Sequence, residues 1–360
     1  MVYVINNEHL TRRKLVTIDG SKVTSETDIP LGLNISLPGV KAAGADVRIA
    51  KLDGTPLARG IESKDVPNSD DVMIWYQWDT TASQNDQFYV YWGNSNLTEP
   101  ADNSTYGSEN VWNSDYNMVQ LMNTVANSNI IDSTNNDTNS TSSNNFESGD
   151  TIDGNYGKGI SADGVNEYYG FGDVLDLNDM NYTIELRLKG FEYVDAEETI
   201  ISKWYDGSNA EWHFKGVDDE ASGTKLSFNF RDQANANQYV STNNGFDTTS
   251  EKTIQITYNG TTHYIYVDGV EEDTNVTSAI RQGNASALEI FKNTHTSSAY
   301  HDYGEGILYY ARISLNTYKS ANWALTTHKN VNNPTDSGSS PFYLSFSPVQ
   351  HQRRVPQFIG

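Results

Sequence analysis

Apolar side chains in this chain recur at every second position in short runs, and each run is closed by turn-forming residues. Leu31, Leu33, Ile35 and Leu37 alternate with small or polar residues, as do Val72, Ile74, Tyr76 and Trp78. The same spacing returns at Phe88, Val90 and Trp92, at Ile184, Leu186 and Leu188, and at Leu226, Phe228 and Phe230. A strand turns successive side chains to opposite faces, so this period lets a strand bury one face. Asp53-Gly54 and Asn259-Gly260 separate neighbouring runs, and such dipeptides supply the positive φ that tight hairpins need. The pattern predicts an all-β chain of short antiparallel strands arranged as sandwiches. One segment departs from it. Ser320 to His328 has helical spacing, with Ser320 placed to act as the N-cap.

Composition narrows the classes further. A chain of 360 residues has room for two or three domains, each with its own core. Its 22 Tyr and 7 Trp suit pleated, half-exposed sheets, and its 27 Gly supply turns. The net charge of −23 repels nucleic acid and anionic membrane. The absence of cysteine excludes disulfides and thiolate metal sites. No apolar run is long enough to span a membrane, so direct membrane insertion is not expected. Met1 to Leu10 lacks the basic and apolar regions of a signal peptide.

Two segments carry a family likeness. Gly157 to Gly170, with Ser161-Ala162-Asp163-Gly164, and Thr257 to Gly269, with Tyr264-Ile265-Tyr266-Val267-Asp268-Gly269, resemble the opening and a late hairpin of a concanavalin A/laminin-G-like sandwich. Asp132-Ser133-Thr134-Asn135-Asn136 matches a phrase of that family's long surface loop, and the helical segment matches its short terminal helix. The start of the chain resembles an uncharacterised β-domain that precedes laminin-G-like domains in archaeal and bacterial surface proteins and in viral structural proteins. The matching parts are Arg13 to Ile18, Ala45 to Ile49, Asp53 to Leu57 and Phe88 to Asn94. The resemblance implies two β-sandwich domains, the second a concanavalin A-like jelly roll, with a short C-terminal helix and an extended tail. The expected order is an N-terminal sandwich over 1–97, a linker over 98–110, the lectin-like domain over 111–334 and a C-terminal docking arm over 335–360. Residues 124–150, nearly all Asn, Ser, Thr and Asp, are expected to form a surface loop.

Catalytic chemistry finds no support. Sandwich relatives that cleave β-glucans carry Glu-x-Asp-x-Glu on one strand, which points alternate carboxylates into a cleft. That triplet is missing, and Asp195-Ala196-Glu197-Glu198 has the wrong spacing. No catalytic residue is expected. His295, His301 and Asp302 share one loop and are read as ordinary solvated loop residues. The fold makes calcium a conceivable cofactor, with Asp132, Asp163, Asp206 and Asp302 as candidate ligands. Tyr205, Trp212, Tyr300 and Tyr303 are candidates for stacking on a sugar ring, whereas Trp204 is expected in or near the core, as in the family. Phe342, Tyr343, Phe346 and Phe358, with the basic Arg353 and Arg354, follow a Ser/Gly/Pro hinge. They are expected to dock on other virion or surface-layer proteins, because a flexible apolar arm orders only when a partner supplies an edge or groove.

The functional expectation is a non-enzymatic virion structural protein, a decoration, turret, spike or tail component, assembled as a homo-oligomer. It would display a glycan-binding type of sandwich towards host cell-surface glycans. The alternative is a cellular adhesin or envelope-layer protein at the extracellular surface.

Overall fold

The computed structural model describes residues 3–5, 7–62, 70–123, 128–191, 198–204, 210–219, 223–243, 246, 249–280, 285–294 and 301–351. Strands dominate, and among the described residues there is one α-helix, Ala321–Asn332. The chain divides into two compact units. The first comprises 1–113 together with 326–360, and the second comprises 114–325.

Unit 1 packs two sheets. A three-stranded sheet runs Glu26–Ser36, Asp71–Thr80, Arg59–Glu62. A six-stranded sheet is built on Arg12–Ile18, Gln87–Trp92, Arg48–Lys51 and Pro56–Leu57. The alternating residues read from the sequence fill the space between them: Leu31, Leu33, Val72, Ile74, Phe88, Val90 and Trp92 are all fully buried. Tyr76 and Phe88 meet across this core at 4.8 Å. Asp53-Gly54 turns the hairpin between Arg48–Lys51 and Pro56–Leu57, with Gly54 at φ 90°.

The six-stranded sheet receives its edge from the far end of the chain. Tyr343–Phe346 pairs antiparallel with Arg12–Ile18, and Gln350–His351 pairs with the same strand. Phe342 and Tyr343 are fully buried. The Tyr343 hydroxyl donates to the Gly32 carbonyl at 2.7 Å and lies 3.0 Å from the Tyr76 hydroxyl. The Asn330 amide brackets Gly32 from the same side, donating to its carbonyl and accepting from its N–H. This corrects the expectation of a docking arm for the described part, 335–351. That segment needs a sheet edge to order, and its own chain supplies one. Residues 98–110 are likewise no bare linker: the Arg59 N–H donates to the Tyr106 carbonyl, and Ser108–Val111 forms a 3₁₀ turn within the unit.

Unit 2 is a sandwich of two large sheets. The seven-stranded sheet runs Ser142–Asn144, Tyr168–Gly172, Leu288–Ile290, Glu198–Trp204, Ala210–Asp219, Gly223–Arg231, Asn237–Ser241. The facing sheet runs Thr151–Asp153, Lys158–Asp163, Glu305–Leu315, Tyr182–Lys189, Lys252–Tyr258, Thr262–Val267, Val270–Val276, with Tyr116–Gln120 paired beside Glu305–Leu315. Ile184, Leu186, Leu188, Phe214, Leu226, Phe228 and Phe230 meet in one core. Asn259-Gly260 closes the expected hairpin, with Gly260 at φ 95°. Ser320 caps the helix, its hydroxyl accepting the Trp323 N–H at 3.3 Å.

The Asn/Ser/Thr-rich stretch is more than a surface loop. Ile130 and Phe146 reach the core, and Phe146 stacks on Tyr169 at 4.5 Å. Ser142–Asn144 adds an edge strand. Asp132 makes this possible: its carboxylate accepts from the backbone of Val119, Thr134 and Thr138 and from the Thr134 hydroxyl. Buried backbone donors that lack a ladder partner are satisfied by one side chain.

Candidate functional site

Alternation along three adjacent strands sorts side chains between the core of unit 2 and the outer face of its seven-stranded sheet. Trp212 and Phe214 point inward, so His213 and Lys215 point outward. On the next strand Phe228 and Phe230 point inward, leaving Asn229 and Arg231 outside, and Val240 inward sets Tyr239 outward. Register then aligns the outward residues into a polar row: Ser202 opposite His213, His213 opposite Asn229, Asn229 opposite Tyr239. His213, Asn229 and Tyr239 of this row line a cleft of about 380 Å³ whose lining also includes Trp204, Gln238, Asn237 and Asn293.

A register shift between Lys203 and Trp204 accompanies the placement of the Trp204 ring at the cleft wall. The ring lies 6.2 Å from the His213 imidazole, and the Arg231 guanidinium sits over it at 5.5 Å. His213 Nε2 lies 3.0 Å from the Thr199 hydroxyl, which fixes the orientation of the imidazole. The Ser227 hydroxyl donates to Asn229 Oδ1, so this amide is held in place before any ligand arrives. The Gln238 amide, opposite inward Phe230, is bonded to Asp232 and Asn275 instead. Tyr239, 60% exposed, forms the opposite aromatic wall. Aromatic faces beside a fixed amide suit a flat ligand rich in hydroxyl groups.

The residues singled out from sequence fall elsewhere. Trp212 is fully buried on the inner face, because its register opposite Phe230 sends it into the core; it cannot stack on a ligand, and the expectation is corrected. Tyr303 is half-buried, 6.5 Å from the Tyr168 ring, and is not part of the cleft lining. Tyr205, Tyr300, Asp206, Arg353, Arg354 and Phe358 lie outside the described residues. Phe346 sits in the strand paired to Arg12–Ile18. Asp132 is occupied by the loop donors described above. Asp163 accepts from the Val165 N–H, and Asp302 approaches the Asn293 amide at 3.4 Å. Among the described residues no three His, Cys, Asp or Glu side chains converge as a metal site. Trp204, expected in or near the core, lines the cleft instead, and Asn229 and Tyr239 are not among the sequence candidates. Only strand register assembles them, and no local motif announces it.

Two other polar assemblies are filled by the protein itself. The fully buried Lys203 ammonium lies 2.6 Å from Asp173, 2.7 Å from Asp176 and 3.7 Å from Glu211, and donates to the Ser286 carbonyl. Burial opposes its charge, but the bonds to Asp173 and Asp176 and the charge of Glu211 prevail and raise its pKa. In unit 1 a cleft of about 410 Å³ is lined by Glu8, Arg48 and Glu99. Arg48 is paired with Glu8 and the nearby Arg59 with Glu99, and both also donate to backbone carbonyls, so their charges are already met.

Comparison with known proteins bears on unit 2. No curated protein matches the chain in sequence. Solved structures with a similar course of chain include the binding domain of Paraclostridial Mosquitocidal Protein 1, at 13% identity and a TM-score of 0.45, covering 60% of this chain and 52% of that one. The chain thus spans about half the length of that structure. Domain 4 of AbnA, an arabinanase from Geobacillus stearothermophilus solved with arabinotriose, matches at 12% identity and 0.36, covering 49% and 80%. The CBM40 of the Ruminococcus gnavus IT-sialidase, bound to α2,3-sialyllactose, matches at 11% and 0.35, covering 46% and 94%. The family model that matches the sequence does so over 163–307, the stretch that supplies every residue of the outer-face cleft. Residues 163–307 match the family model Laminin_G_3, described as the concanavalin A-like lectin/glucanases superfamily.

Proposed function

We propose that this chain is a non-enzymatic carbohydrate-binding protein whose second unit takes a saccharide in the outer-face cleft. The observation that carries the reading is the pairing of Trp204 and Tyr239 as aromatic walls beside the prepositioned amide of Asn229. Sugar rings stack by their apolar faces and satisfy their hydroxyls on fixed polar groups, and this cleft offers both. Hydrolysis needs a paired acid and base or nucleophile. The described lining of the cleft contains neither Asp nor Glu, which favours binding without turnover. The absence of a Glu-x-Asp-x-Glu strand supports the same reading.

Display on a virion or on a cell surface, directed at host glycans, remains part of the proposal. It rests on the domain order read from the sequence. It no longer draws on a docking arm, since Phe342 and Tyr343 are committed to unit 1. The test is titration calorimetry of the full chain against a panel of defined oligosaccharides. At least one should bind, and Trp204→Ala and Tyr239→Ala should each weaken it by about tenfold, the loss of one well-packed aromatic contact. Undiminished binding in both variants would move the site elsewhere.

A further inference from the structure

The charge in the cleft runs against the charge of the chain. The whole sequence carries 47 acidic and 24 basic Lys and Arg residues. Yet the described cleft lining holds Lys215 and no carboxylate, and Arg231 lies over its Trp204 wall.

Arg231 is the informative residue. An arginine offers five N–H donors in a planar fork that matches an oxyanion. Here the fork makes one long bond, Nη1 to the Asn235 carbonyl at 3.4 Å, and stacks on Trp204. Its Nε is buried with no hydrogen-bond partner among the described residues. The nearest acid in sequence, Asp232, does not answer it. That carboxylate accepts from the Ala234 and Ala236 N–H groups and from the Gln238 amide, and so is held in the turn. Asp302 accepts from the Asn293 amide at 3.4 Å. Among the described residues the half-buried guanidinium makes only that one long, exposed bond through its Nη groups, and an oxyanion at the cleft mouth would pair with them.

Building on the saccharide reading, we infer that the cleft selects an anionic saccharide, whose carboxylate or sulfate group pairs with Arg231 while a neighbouring sugar ring rests against Tyr239. Carboxylate and sulfate share the required chemistry, a planar or tripod set of oxygens facing one arginine fork. The net charge of −23 then adds specificity, because the chain as a whole repels an anionic ligand.

The experiment compares matched oligosaccharides, one neutral, one with a uronic acid and one with a sulfate at the same position, by calorimetry on the full chain. The anionic members should bind about tenfold tighter or better than the neutral one, the value of a charge-assisted hydrogen bond. The advantage should shrink as salt is raised from 0.05 to 0.5 M, numbers chosen to bring the screening length from about 14 to about 4 Å. Arg231→Gln should bring the anionic ligands down to the level of their neutral counterpart. Lys158→Gln removes the same charge on the other sheet, where Lys158 pairs with Asp153, and should leave the preference intact. Carboxylate and sulfate arms that differ identify which oxyanion the fork prefers, and either preference supports the inference. Equal binding of neutral and anionic ligands, with loss on Trp204→Ala, overturns the anionic inference and leaves the saccharide site standing. Loss of preference in both charge variants also overturns it, since net charge would then be the cause. No binding of any member overturns both readings.

Discussion

His263 makes unit 2 sensitive to acid, and the size of the effect follows from its surroundings. The imidazole is fully buried, stacked between Tyr258 at 4.2 Å and Phe230 at 4.1 Å, with Tyr182 at 6.0 Å. Neither ring nitrogen meets a hydrogen-bond partner among the described residues. Burial lowers its pKa from 6.5 to about 3, against a small opposing pull from the Asn275 backbone. The titratable groups beside it, the phenols of Tyr182 and Tyr258, are themselves raised by burial and stay neutral at every relevant pH. The folded state therefore holds the neutral ring, while the unfolded chain takes up a proton as pH falls below 6.5. Stability is fully present above 6.5 and is lost as pH falls towards 3. Between pH 8 and pH 5 the loss is about 2 kcal/mol, at about 1.4 kcal/mol per unit of pKa difference sampled. For a unit of this size that lowers the melting temperature by roughly 4–8 °C. His263→Phe keeps a flat ring in the stack and removes the titration. Urea unfolding of both proteins at pH 8 and pH 5 isolates the term, because other titrating groups cancel in the double difference. The variant should lose about 2 kcal/mol less than the wild type on acidification. Equal losses would refute the claim that this imidazole is held neutral.

Two further outcomes follow from buried groups. Tyr343→Phe removes the hydroxyl bonded to Gly32 and Tyr76 and should cost unit 1 about 1–2 kcal/mol, whereas Phe342→Ala opens the core and should cost about 3–4 kcal/mol, both by urea unfolding. Lys203→Met leaves Asp173, Asp176 and Glu211 without their shared cation and should cost about 3 kcal/mol at neutral pH by urea unfolding. A Lys203→Met protein as stable as wild type at pH 7 would mean that the ammonium does not hold the three acids together.

How far the sequence could be read depends on where the information is local. Leu31, Leu33 and Ile35, or Leu226, Phe228 and Phe230, announce a buried face because parity within one strand is enough. The turns at Gly54 and Gly260 are legible because glycine tolerates their positive φ. The side of the sandwich on which Trp212 falls was not legible, because it depends on pairing with Phe230 and on register shifts in the neighbouring strand. Phe146 was hidden by its polar neighbours, and its burial relies on Asp132 serving backbone donors around it. Trp204 and Arg231 form one wall although many residues separate them, and only the order of strands in the sheet, which places theirs on either side of Ala210–Asp219, unites them. The strand Tyr343–Phe346 could be recognised as a strand, but its partner Arg12–Ile18 lies at the other end of the chain.

That last pairing has a consequence for how the molecule is made. Unit 1 is assembled from residues 1–113 and 326–360, so a ribosome delivers the whole of unit 2 before unit 1 receives the strand that covers its sheet. Until then Arg12–Ile18 is an open edge, which can pair with another chain's Tyr343–Phe346 as readily as with its own. Closing an unfolded insert of about two hundred residues costs about 5 kcal/mol in chain entropy, and a folded insert replaces that long loop by a short tether. Early folding of unit 2 therefore speeds completion of unit 1 and shortens the window for strand exchange. A variant that slows unit 2, though it alters nothing in unit 1, should appear as intertwined dimers joined through the first unit.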